Sequence, residues 1–349
     1  MSDAPYSITI KDDGGFTLLK YSQIDSDFHN EIVRECRGLI IDQNLDPVCV
    51  PFYKFGSYGE PYAANIDWTA AKVEEKIDGS LIKIWNYKGK WIVSTNGTIF
   101  ANKANIGSDT DNEMTIDATY NNFSELFEAA AAKAGLDMNA LNPQHTYMFE
   151  LVSPYNRVVV PYESIDLYHI GTRDNISLKE LEADIGIKKP KTYQCDDIND
   201  LIEMASKLRY CEEGYVVKDA NYSRIKVKSP AYVAVSHLIS GINEKRLIEL
   251  LRTNEVGEFL AYFPEYKSHI ENLKHKIDNL ADYLDNIIQE KIAPVHHETR
   301  KEFAEMATKT KYPAFFFMYY DGKAKNPREW IWSLTNDKII EQLERSAIP

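Results

Sequence analysis

Lys76-Ile77-Asp78-Gly79-Ser80 stands where the acidic stretch Val73-Glu74-Glu75 gives way to the strand-like run Leu81-Ile82-Lys83-Ile84-Trp85. Asp-Gly favours a tight turn, and its glycine lets the backbone come close to a partner such as a phosphate. The lysine ahead of the turn raises a chemical question. A free lysine, with a pKa of about 10.4, is almost wholly protonated at neutral pH; neighbouring cations and partial burial release its amine as a nucleophile. An ordinary surface turn before a strand would carry the same five residues, so the meaning depends on what the rest of the chain brings to it.

Two other segments carry complementary groups. Glu213-Gly214-Tyr215-Val216-Val217-Lys218 reads as a strand, Asp219-Ala220-Asn221-Tyr222 as a turn, and Arg224-Ile225-Lys226-Val227-Lys228 as the return strand. This register sets Glu213 opposite Lys228, Tyr215 opposite Lys226 and Val217 opposite Arg224. Because strand side chains alternate, all six then share one face. One carboxylate and three cations there form either a site or a solvated face with ion pairs, each worth at most about 1 kcal/mol. Tyr147-Met148-Phe149-Glu150-Leu151-Val152 predicts an apolar strand interrupted by a glutamate. A second apolar run, Val158-Val159-Val160, follows it. Glu150 either faces the surface or is a buried acid, which requires a cation or metal beside it.

Taken together, these segments resemble the covalent nucleotidyltransferase superfamily of polynucleotide ligases and messenger-RNA capping enzymes, and most closely the bacteriophage RNA ligase 1 family. Lys76-Ile77-Asp78-Gly79-Ser80 resembles the nucleophile motif. Phe149-Glu150-Leu151-Val152, Glu213-Gly214-Tyr215 and Lys226-Val227-Lys228-Ser229 resemble the later motifs, in family order and spacing. Upstream, Arg34-Glu35-Cys36-Arg37-Gly38 and Pro51-Phe52-Tyr53-Lys54-Phe55 are similar to elements that serve the nucleotide phosphates. Tyr21 and Tyr232 match two family tyrosines, and Thr299 to Ala304 and the later aromatic run are also family-like. The serine at position 80 suits the RNA ligase branch, since DNA ligases and capping enzymes usually carry arginine one residue later.

The resemblance implies ATP and Mg2+ (or Mn2+) as cofactors, and Lys76 as the residue that becomes adenylated. Arg37 and Lys54 would serve the triphosphate, Lys226 and Lys228 the α-phosphate, and Glu150 and Glu213 a metal or sugar hydroxyls, with Glu213 the better metal candidate. Tyr21 would line the nucleotide pocket, while Asn96 and Tyr232 would meet substrate. The implied partner is RNA with 5′-phosphate and 3′-hydroxyl ends, single-stranded or in a nicked transfer-RNA loop. The implied setting is the cytoplasm, that of a bacterial host if the gene is phage-borne, with the protein acting as a monomer away from membranes. The alternatives are a DNA ligase or capping-type nucleotidyltransferase, and a non-catalytic RNA-binding derivative. Two departures stand out. Asn96 in Ser94-Thr95-Asn96-Gly97 occupies a position where the family usually has a cation. Asn254-Glu255-Val256-Gly257-Glu258 offers glutamates where some members pair aspartates around a hydrated metal.

Bulk properties bound the reading. A length of 349 residues accommodates a catalytic domain and a smaller appendage. A net charge of −13 argues against a general polyanion binder, whose affinity comes from phosphate neutralisation. Ligation needs only a local cationic groove, and cations cluster at Arg224 to Lys228 and at Lys309 to Lys311. RNA affinity should therefore be modest without adenylate; tight, length-dependent binding to duplex RNA would count against this picture. Cys36, Cys49, Cys195 and Cys211 are too widely spaced for a zinc ribbon or a disulfide framework. His296-His297, being adjacent, do not share a helical face and read as structural or solvated. No signal pattern is visible, and no apolar run approaches the roughly 18 residues of a membrane span.

The expected fold class is α+β. A nucleotidyltransferase domain with antiparallel sheets and flanking helices spans residues 1–236, and an all-helical, RNA-recognising domain spans 237–349. Expected strands include Leu39 to Ile41, the hairpin about Lys88-Gly89 (with Ser80 facing Gly97), Val158 to Val160 and Leu167 to Ile170. Expected helices cover Asn122 to Ala134, Asp197 to Leu208, Glu244 to Leu251 and Arg300 to Thr308. Ile270, Leu273, Ile277, Leu280, Leu284 and Ile287 recur at spacings of three and four, which predicts one long amphipathic helix. Phe315 to Tyr320 predicts a core element rather than a base-stacking surface.

Overall fold

The computed structural model describes residues 6–23, 25–106, 119–239, 242–253, 255–292, 299–324 and 326–347. His296-His297 and Asn254 lie outside them. The chain forms two compact units, one running to His237 and the other from Leu238 onward.

The first unit opens with a four-stranded antiparallel sheet: β1 (Ile8–Asp13), β2 (Phe16–Tyr21), β3 (Arg37–Asp42) and β4 (Pro47–Cys49), with the short helix α1 (Glu31–Glu35) before β3. The chain continues through β5 (Gly56–Ser57), β6 (Lys72–Glu75), β7 (Ser80–Tyr87), β8 (Lys90–Thr95), helix α2 (Phe123–Ala134), β9 (His145–Val152), β10 (Asp166–Asp174), β11 (Glu180–Leu181) and β12 (Thr192–Tyr193). Helix α3 (Ile198–Ser206), β13 (Gly214–Lys218), β14 (Arg224–Lys228) and helix α4 (Pro230–Ile239) follow. These strands build two further five-stranded sheets, ordered β11-β10-β9-β7-β8 and β12-β6-β13-β14-β5. Pairing is antiparallel throughout except for β14 with β5, where the fold departs from a purely antiparallel expectation.

Each large sheet buries one face against a helix. Ile82, Ile84, Phe149 and Leu151 pack with Leu126 and Phe127 of α2. Val73, Tyr215, Val217, Ile225 and Val227 pack with Leu201 and Ala205 of α3. Each fully buried aliphatic or aromatic side chain contributes about 1.5–3 kcal/mol. Asn122 caps α2 by accepting hydrogen bonds from the Ser124 and Glu125 backbone amides. The β7–β8 hairpin turns at Lys88-Gly89, both with positive φ, in the two-residue loop that matches strand twist. Its ladder ends at Ile82 facing Thr95, so Ser80 pairs instead with Leu151 on the other side of β7.

The structure corrects two further sequence expectations. The β13–β14 hairpin is shifted by one residue: Gly214 faces Lys228, Val216 faces Lys226 and Lys218 faces Arg224. Its turn has five residues, with the Asp219 carboxylate accepting from the Asn221 and Ser223 amides and Tyr222 held at φ 62°. One residue of slip exchanges the two faces, so Tyr215 and Val217 enter the core and Lys226, Lys228 and Arg224 project together on the other side. Val158 to Val160 is not a strand, because the Val159 and Val160 amides donate to Asp78 instead of to a neighbouring strand. Gly79 also has a structural role: a Cβ there would lie 2.5 Å from the Leu151 carbonyl oxygen.

The unit after Leu238 is helical among its described residues: α5 (Glu244–Thr253), α6 (Val256–Tyr262), α7 (Lys267–Ile287), α8 (Arg300–Ala307), α9 (Pro313–Tyr320), α10 (Pro327–Ser333) and α11 (Asn336–Ala347). All six apolar residues of the periodic stretch are buried along α7. A capping box at Thr299 and Glu302 starts α8. Phe315 and Phe316 are buried in α9, and Phe315 packs on Trp330 at 4.9 Å between ring centroids.

Candidate active site

Lys76 lies in the link between β6 and β7, the strands that carry the chain from one large sheet to the other. Its amide donates to the Gly214 carbonyl at 2.9 Å, tying the Lys76 segment to the start of β13. The backbone there bends sharply. Gly214 sits at φ 141°, and a Cβ would lie 2.1 Å from the Val227 carbonyl oxygen. That bend returns Glu213, which stands outside the strand, toward the cations it was expected to face. The Glu213 Oε2 accepts from Lys76 Nζ at 2.7 Å, and its Oε1 pairs with Lys228 Nζ at 2.9 Å.

A cavity of about 280 Å3 opens beside Lys76. Its walls bring together Tyr21, Arg37, Lys54, Glu150, Lys226 and Lys228 from five separate stretches of sequence. Arg37 stands over the Phe55 ring at 5.5 Å, and its buried Nη1 has no hydrogen-bond partner among the described residues. Lys54 is buried in an aromatic cage, 5.0 Å from the Phe28 ring, 5.4 Å from Tyr21 and 5.9 Å from Tyr62. Burial and the neighbouring Arg37 push the Lys54 pKa down. Burial, with Lys54, Lys76 and Lys228 adding repulsion, lowers Lys226 to about 8. Burial raises Glu150 to about 7, against the pull of Lys76. The cavity thus gathers Arg37, Lys54 and Lys226, none of them in an ion pair among the described residues, beside an acid whose charge is suppressed, an arrangement that stabilises an incoming polyanion.

Three expected site residues stand apart from the cavity wall. Glu213 is engaged by the two lysines. Tyr232 is buried in α4, donating its hydroxyl to Asp78 Oδ1 at 2.7 Å, with Lys228 Nζ 5.0 Å from its ring. Asn96 lies against Gly38, and its buried Oδ1 has no partner among the described residues. Nearby, Lys83 is fully buried and donates to the Gly38 carbonyl at 2.5 Å.

Sequence reasoning gave Asp78 a part in the turn and missed its reach. Its carboxylate accepts from the Val159 amide at 2.9 Å, the Val160 amide at 2.7 Å and the Tyr232 hydroxyl, clamping two distant segments to the Lys76 turn. Burial and the neighbouring Glu213 raise its pKa, while these hydrogen bonds oppose the rise. Arg224, read as part of the cationic face, is paired with Glu180. Phe28 and Tyr62, which wall the Lys54 cage, carry no sequence signal, since they lie apart from Lys54 along the chain.

Comparison with known proteins identifies the family of the chain. The sequence profile of the family described as RNA ligase matches residues 35–232. A protein of Autographa californica nuclear polyhedrosis virus, named as a bifunctional polynucleotide kinase/RNA ligase, is 32% identical over 271 residues, covering 73% of this chain. This chain spans 38% of that relative's length. An RNA ligase of Rhodothermus phage RM378 is 24% identical and covers 96% of this chain and 92% of its own. A solved Naegleria gruberi RNA ligase with ATP and Mn is 14% identical, with a TM-score of 0.36 over 48% of this chain and 52% of its own, too slight a likeness to build on. On the span of the profile match and the motifs lining the cavity, the chain belongs to the bacteriophage RNA ligase 1 family.

Proposed function

We propose that the protein is an ATP-dependent RNA ligase that joins 5′-phosphate and 3′-hydroxyl ends through AMP carried on Lys76. The observation that carries this reading is the convergence of Lys76, Arg37, Lys54, Lys226 and Lys228 on one cavity. Before Lys76 can attack, its ammonium must lose a proton, and the carboxylate hydrogen-bonded to it is Glu213. The amine then forms a bond to the α-phosphorus of ATP, the bond to the bridging oxygen breaks, and pyrophosphate leaves. Lys226 and Lys228 hold charge on the α-phosphate; Arg37 and Lys54 offer donors to the departing phosphates. Asp78 holds the Lys76 turn in place throughout. AMP next passes to the RNA 5′-phosphate, and the 3′-hydroxyl displaces it.

A divalent cation, Mg2+ or Mn2+, suits the oxygen donors present. Glu150 is a half-buried acid that no ion pair among the described residues engages, whereas Glu213 already holds two lysines. Such ions commonly use one or two carboxylates, substrate phosphates and water, in keeping with the absence, among the described residues, of a cluster of three protein ligands. When bound, the ion would offset phosphate charge.

The RNA is a single strand or a nicked transfer-RNA loop in this reading. A matrix of ATP against GTP and of 5′-phosphorylated RNA against DNA strands, including broken hairpin loops, tests it. Sealing confined to ATP and RNA supports it; sealing of DNA, or use of GTP, or no sealing at all, refutes it.

A further inference from the structure

We infer that a second pocket beside the nucleotide cavity holds the 5′-terminal nucleotide of the RNA strand that accepts AMP, an inference that rests on the ligase reading above. This pocket, about 760 Å3, shares Lys54, Phe55 and Arg224 with the nucleotide cavity. Its remaining lining includes Arg34 of α1, Tyr53, Tyr62, Lys179 and Tyr222. Its volume falls in the range of small-molecule sites, which run from about 300 to 1,000 Å3.

The direction of attack places the strand there. In-line displacement by Lys76 sends pyrophosphate out on the side opposite the lysine. In the next step Lys76 is itself the leaving group. An oxygen of the RNA 5′-phosphate therefore enters from the side that pyrophosphate vacated, forming the new P–O bond while the N–P bond breaks and the lysine amine takes up a proton. In the ligase reading, where Arg37 and Lys54 serve the departing phosphates, these two cavity residues mark that side. The nucleotide attached to the incoming phosphate then lies beyond Lys54, where the second pocket opens.

The lining suits a nucleotide. Of its carboxylates, Glu35 is neutralised by Arg173 and Glu180 by Arg224, so Arg34, Lys54 and Lys179 outnumber Glu31. The Arg34 guanidinium stacks 4.7 Å from the centre of the Tyr53 ring, and its buried Nε–H has no acceptor among the described residues. Tyr222 is kept at φ 62°, a conformation unfavourable for a tyrosine, which sets its ring into the pocket lining. Aromatic rings and a stacked guanidinium are the usual means of gripping single-stranded bases without reading their sequence.

The test separates AMP transfer from AMP loading. Wild type, Arg34→Met, Tyr222→Asn and Lys179→Ala are charged with ATP, freed of nucleotide, and mixed in single turnover with graded 5′-phosphorylated single-stranded RNA. Asparagine tolerates positive φ, so the turn is preserved in Tyr222→Asn. All four proteins should load AMP at the same rate. The half-saturating RNA concentration should rise about tenfold or more for Arg34→Met and Tyr222→Asn, and less for Lys179→Ala. Unchanged RNA dependence overturns the inference, as does loss of AMP loading in these variants, which would assign the pocket to the triphosphate. A wild type that never loads AMP instead overturns the ligase reading itself.

Discussion

In the cavity around Lys76, burial works against the groups it holds. Arg37 keeps an N–H without a partner among the described residues, Lys54 stands in an aromatic cage, and Glu150 and Lys226 are driven toward their neutral forms. In the helices after Leu238, burial and side-chain chemistry agree. The stripe from Ile270 to Ile287 is apolar where α7 is covered, and caps satisfy the end of α8. The difference teaches where each region's residues are answerable to stability and where to a ligand. Local rules are broken at sites of function and kept elsewhere.

That contrast can be broken by mutation. The largest effect belongs to the cavity: Arg37→Met or Lys226→Met should slow AMP loading by about a hundredfold or more. Neither change should lower the melting temperature, since neither cation is held in an ion pair among the described residues. Calorimetry that shows both variants markedly destabilised would make these cations structural and erase the distinction. The mirror experiment is Leu284→Ala in α7. Loss of a fully buried leucine should cost about 2–5 kcal/mol in denaturant unfolding. AMP loading per folded molecule should stay at the wild-type level.

Glu150 sharpens the comparison through pH. Its folded-state pKa of about 7 lies above the ordinary value of 4.5, so its contribution to stability is complete below about pH 4.5 and is lost as pH rises through 7. Unfolding of the ligand-free protein should show a decline of about 1–3 kcal/mol over that window, absent in Glu150→Gln. Lys76 and Arg37 oppose the shift, while Glu213 and Asp78 add to it. A variant with the same pH slope as wild type would show that Glu150 ionises freely. The smallest effect is a control remote from the cavity. Asn122→Ala removes the α2 cap and should cost about 1 kcal/mol with no change in AMP loading.

How far the sequence was legible follows the same division. The helical unit could be read because a spacing of three and four survives any tertiary context, and α7 buries each residue that spacing selects. The cations of the cavity could be read because their motifs are local strings. The hairpin register could not. It depends on a five-residue turn held by the Asp219 carboxylate and by a tyrosine at positive φ, a conformation that tyrosine does not advertise. Val158 to Val160 looks like a strand from propensity alone, and a carboxylate eighty residues earlier claims two of its amides. Both misreadings arise from side-chain-to-backbone hydrogen bonds, which leave little trace in composition or period.

The central claim concerns one nitrogen atom. Peptide mass spectrometry after incubation with ATP and Mg2+ should find a single AMP joined through an acid-labile phosphoramidate to the peptide containing Lys76, and none in Lys76→Ala. AMP on a different residue, or an unmodified Lys76 peptide in a protein that still seals RNA, would contradict the account.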